Sequence, residues 1–63
     1  MTFTEAIKQL KEEERVIIHD SEFGDELPYE LRIVGDNELE LSVGLREVAL
    51  SIALIESDAW KIA

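Results

Sequence analysis

A single histidine, a single tyrosine, a single tryptophan and no cysteine leave this 63-residue chain few side chains that could do covalent chemistry. His19 and Ser21 are two residues apart, and on an extended chain that spacing puts both on one face, as a serine nucleophile and an imidazole base require. No third orienting group and no oxyanion loop accompany them in the sequence, so the expectation is a non-enzyme without a catalytic residue. The absence of cysteine excludes disulfides, thiolate-bound zinc and thiol catalysis. Asp20-Ser21-Glu22-Phe23-Gly24-Asp25-Glu26 has oxygen donors suited to calcium, but counting from Asp20 the glycine falls fifth rather than sixth. Leu31 then stands where a bidentate glutamate belongs. No metal or cofactor is expected.

The chemistry that remains is charge. In the stretch His19 to Glu30, "HDSEFGDELPYE", Asp20, Glu22, Asp25, Glu26 and Glu30 are a third of the fifteen acidic residues, with no lysine or arginine among them. Acids in a connection often serve solvation alone. Here their concentration carries a cost in self-repulsion and suits a basic partner. Phe23 sits among them without a periodic apolar companion, so it either tucks over the core or anchors a partner inside a charged rim. The expected partner-binding residues are therefore Asp20, Glu22, Phe23, Asp25, Glu26 and Glu30, with Glu38 and Glu40 extending the patch.

Fifteen acidic against six basic residues give a formal charge of -9. Contact with phosphate backbones needs clustered Lys and Arg, so direct nucleic-acid binding is not expected. Hydrophobic residues make up 46% of the chain, above the disordered range. The longest apolar-leaning run, Val48 to Ile55, is too short to span a bilayer. The opening Met1-Thr2-Phe3-Thr4-Glu5 lacks a charged-then-apolar secretory pattern, which predicts a cytoplasmic protein and, if phage-encoded, the host cytoplasm.

The elements that position these groups follow from periodicity. Thr2-Phe3-Thr4-Glu5 is a capping box, and Phe3, Ala6, Ile7 and Leu10 fall on one helical face, so a helix should run from there to Glu13 or Glu14. Glutamates at its C-terminal end oppose the macrodipole and favour a stop. Val16-Ile17-Ile18 reads as a short strand and residues 20 to 28 as a loop. Tyr29, Leu31, Ile33 and Leu39, Leu41, Val43 alternate as two strands about Gly35-Asp36-Asn37. In the register that keeps apolar residues on one face, Ile33 opposes Leu39, Leu31 opposes Leu41 and Arg32 opposes Glu40. Residues 45 to 56 fit both a helical and a strand period, with the uninterrupted length favouring helix. Leu50 and Leu54 would then lie off its main stripe and form an oligomer interface, most simply of a dimer. Trp60-Lys61-Ile62 ends the chain as a strand, with Trp60 and Tyr29 in the core. The predicted fold is one α+β domain over 1–63: an N-terminal helix, a small antiparallel meander sheet, a second helix near the C-terminus and a short final strand.

The opening Thr2-Phe3-Thr4-Glu5-Ala6-Ile7-Lys8-Gln9-Leu10-Lys11-Glu12 and the ending Leu54-Ile55-Glu56-Ser57-Asp58-Ala59-Trp60-Lys61-Ile62 resemble the ends of small phage proteins of the Thoeris anti-defence type, some of whose relatives act as anti-CRISPRs. The resemblance covers about a third of the chain. It implies a phage-inhibitor context and an oligomer that sequesters a cyclic nucleotide immune signal. The family's glycine and basic residues after the first helix are replaced here by Glu13-Glu14-Arg15, and its basic-Trp segment by Asp20-Ser21-Glu22-Phe23. A phosphate pocket needs cations or clustered amide donors, so no binding residue carries over. Two functions stand open: an acidic, DNA-mimicking inhibitor that occupies the basic nucleic-acid-binding surface of a host protein, and a nucleotide-sequestering oligomer. A structural accessory protein is the third.

Overall fold

In a computed structural model, which describes every residue except Phe23 and Asp25, Thr2 caps helix α1 (Phe3–Lys8) through the reciprocal bonds of the capping box. The helix runs on as a π-helical turn, Gln9–Glu13, and stops where Glu14 turns left-handed at φ 51° with its amide on the Gln9 carbonyl. Glu12, Glu13 and Glu14 work against the macrodipole here and outnumber Lys11 in the last turn, so the balance of charge disfavours another turn. The sheet then forms from β1 (Ile17–His19), β2 (Tyr29–Val34), β3 (Glu38–Val43) and β4 (Arg46–Val48), followed by α2 (Ile52–Glu56) and β5 (Lys61–Ile62). The order is β4-β3-β2-β1-β5 with antiparallel pairing throughout, a four-strand meander whose inner edge is closed by the last strand.

The β2–β3 register is the expected one: Ile33 opposes Leu39, Leu31 opposes Leu41 and Arg32 opposes Glu40. Gly35 and Asn37 supply the positive φ values that the three-residue loop needs. On the core face Ile17, Leu31, Leu41 and Val48 line up across four strands. Ile17, Leu31 and Leu41 are buried there with Tyr29, Val43, Ala6 of α1, Leu54 of α2 and Trp60. Burying one large apolar side chain is worth about 1.5–3 kcal/mol, so Trp60, Tyr29, Ile17, Leu31 and Leu54 carry most of what holds so small a domain together.

Residues 45 to 56 correct the single long helix. Gly44, at φ 59°, and Leu45 form a two-residue turn between Val43 and Arg46, so the chain reverses and pairs before any helix begins. Glycine first and an ordinary residue second is the composition such a hairpin favours. Ser51 then caps α2, its hydroxyl accepting the Leu54 amide at 3.2 Å. The interface reading of Leu50 and Leu54 fails with the long helix: Leu54 is 1% exposed within the core, and Leu50 packs partly buried against it. The apolar residues that α2 turns outward are Ile52 and Ile55, at 73% and 44% exposure. Among the described residues no helix is long and apolar enough to cross a membrane.

Candidate acidic surface

In the connection from β1 to β2, Asp20 and Glu22 are both engaged. Asp20 follows directly on β1, and the Lys61 ammonium, on neighbouring β5, donates to its carboxylate at 3.2 Å. Both partners are solvent-exposed, so the pair contributes little to stability. Glu22 accepts from the Ser51 hydroxyl at 3.0 Å, which ties the connection to the start of α2. The absence of a nearby cation in sequence therefore does not extend to three dimensions for Asp20. Glu26 borders an open concavity of about 470 Å³ together with Leu27, Val43 and Arg46. The expected sites at Phe23 and Asp25 lie outside the described residues.

Glu30 belongs elsewhere. On β2 it opposes Ile18 and Ser42, and Ser42 opposes Glu47, so all four project from the sheet face opposite the core. The alternation of β2 and β3 places Arg32, Glu38 and Glu40 on that same face. Carboxylates on alternate residues of a strand recur about every 6.5–7 Å, and adjacent strands lie about 4.8 Å apart. Glu30, Glu38, Glu40 and Glu47 thus form a two-dimensional acidic array. Within it Arg32 donates to Glu40 at 2.8 Å and to the Ser42 hydroxyl at 3.2 Å. Lys61, on the same face, is held by Asp20. The sequence does not mark Glu47, because its segment fits both a helical and a strand period; the signal for a strand is the alternation Arg46-Glu47-Val48 after a glycine turn.

His19 has a different serine from the one expected. Its Nε2 lies 2.7 Å from the Ser57 hydroxyl and its Nδ1 2.7 Å from the Asp20 carbonyl, while the ring meets Trp60 edge-on at 4.8 Å. The Glu5 carboxyl is held below its ordinary value of 4.5 by accepting first the Thr2 amide and then the Thr2 hydroxyl. Among the described residues no group of three or more His, Asp or Glu could hold a metal ion. No family model, curated protein or solved structure matches the chain.

Proposed function

We propose that the protein is a small acidic inhibitor of the phage anti-defence kind, anti-CRISPR-like in action, that occupies the basic nucleic-acid-binding surface of a host protein. The observation that carries this reading is the array of Glu30, Glu38, Glu40 and Glu47 on the sheet face opposite the core, whose local cations are already engaged by Glu40 and Asp20. A β-sheet fixes the points from which these side chains leave the backbone, so the charges are presented together on one face to a groove shaped for phosphates. Asp20, directly after β1 and paired with Lys61 of β5, adjoins this face and would enlarge the footprint. The net charge of -9 steers encounter with a basic partner and opposes contact with nucleic acid itself.

The test is competition. Basic proteins captured from host lysate on the immobilised chain should be released by duplex DNA and by rising salt, because both act on the same electrostatic contact. Converting Glu30, Glu38 and Glu47 together to glutamine should slow association and flatten its salt dependence while leaving the fold intact, since none of the three holds a buried partner among the described residues. A captured protein that DNA does not displace, or that binds the triple variant equally well, would overturn the proposal.

A further inference from the structure

We propose that Ser57 is an activated hydroxyl that accepts an acyl group from small uncharged esters, with His19 as its general base. The Asp20 carbonyl, 2.7 Å from Nδ1, can only accept a hydrogen bond, so in the neutral ring Nδ1 carries the proton. Nε2 is then the basic nitrogen, and the Ser57 hydroxyl donates to it at 2.7 Å. Nucleophile, base and orienting group thus stand in a line of hydrogen bonds, the part of a nucleophilic serine site that activates the hydroxyl.

The surroundings fix this geometry. Trp60, 1% exposed, lies edge-on to the imidazole, and its indole N–H donates to the Leu54 carbonyl at 2.9 Å. The same carbonyl accepts the Ser57 amide at 3.2 Å, so one buried tryptophan restrains both the base and the backbone of the nucleophile. The Ala59 amide donates to Ser57 Oγ at 3.1 Å, which favours the charge that develops on that oxygen as its proton leaves. His19 and Ser57 are half-buried, open to a small reagent while partly shielded from water. Asp58 flanks the serine and Asp20 the histidine, and with the chain's charge they disfavour anionic acyl donors.

In the step itself Oγ bonds to the acyl carbon as its proton passes to Nε2. The bond from that carbon to the leaving oxygen then breaks, and Nε2 returns the proton to it. The probe is p-nitrophenyl acetate, with nitrophenolate release followed over time and the acetyl group located by peptide mass spectrometry on the wild-type protein. Acetylation is expected at Ser57, and His19→Gln should slow it by about 10²- to 10⁴-fold. Ser57→Ala should abolish it. Acetyl groups found only on lysines or the Met1 amine, or a Ser57 reaction indifferent to His19→Gln, would overturn the assignment. The mapping on the wild-type chain decides the matter even if Ser57→Ala misfolds.

Discussion

Tyr29 and Trp60 are both 1% exposed, yet only one has its polar atom satisfied. The Trp60 indole N–H donates to the Leu54 carbonyl, whereas the Tyr29 hydroxyl has no hydrogen-bond partner among the described residues. Leaving a buried hydroxyl unpaired costs about 1–3 kcal/mol, while the ring it sits on contributes fully to the core. Replacing Tyr29 by phenylalanine keeps the ring and removes the orphan. The expected outcome is a urea midpoint equal to or above that of the wild type, with an unchanged slope. Trp60→Phe is the contrast: it removes one of the two hydrogen bonds that the Leu54 carbonyl accepts and shrinks a packed side chain, so its midpoint should fall. A loss of more than about 1 kcal/mol in Tyr29→Phe would mean that the hydroxyl is bonded to ordered water.

Helix α1 shows how one element couples to pH. Glu5 reaches back to the Thr2 amide at 3.0 Å and accepts the Thr2 hydroxyl at 3.0 Å, which depresses its titration below 4.5. A carboxyl depressed by folding contributes stability that is fully present above its unfolded value and disappears as pH falls through its folded one. Glu5→Gln keeps the reach of the capping box and removes the charge. The stability gap between wild type and Glu5→Gln should therefore narrow as pH is lowered from about 7 to about 3. A gap that stays constant over that range would show that the carboxylate gains nothing from the cap. This helix start was legible in the sequence because the capping box is local, and so was the β2–β3 register, where period-2 alternation and a Gly-Asp-Asn loop admit a single pairing that buries one face. Residues 45 to 56 were not legible, because Leu45, Val48, Ala49, Ile52 and Ile55 fit a helical period while Val48, Leu50, Ile52 and Leu54 fit a strand period, and the decision fell to a two-residue turn at Gly44-Leu45. The candidate site was legible only in part. Composition marks the acids of the 19–30 stretch, but Lys61 against Asp20, Ser51 against Glu22 and Ser57 against His19 join residues 29 to 41 positions apart, contacts that only the folded sheet creates.

Two copies of the whole molecule, each at -9, can approach only where charge is least. Residues 48 to 55 contain no Asp, Glu, Lys or Arg, and from this stretch α2 turns Ile52 and Ile55 outward one helical turn apart. A stable interface uses about 800 Å² per partner, roughly a sixth of the 4519 Å² that the chain exposes. A five-residue helix presents much less than that, so the expected homodimer is weak and seen at high micromolar concentration. Salt should strengthen it. Added ions screen the repulsion between like-charged copies over a Debye length of about 10 Å at 0.1 M, while apolar contact at Ile52 and Ile55 is left intact. Binding of a basic protein to the acidic array must respond in the opposite direction, so the sign of the salt effect separates the two surfaces in one titration. Sedimentation equilibrium at low and high salt should show mass rising with ionic strength in the wild type, and a monomer throughout for Ile52→Asp, where a carboxylate occupies the uncharged α2 surface. A chain that stays monomeric at every salt concentration, or a dimer that tolerates Ile52→Asp, would place no second copy on α2 and leave Ile52 and Ile55 as isolated surface residues.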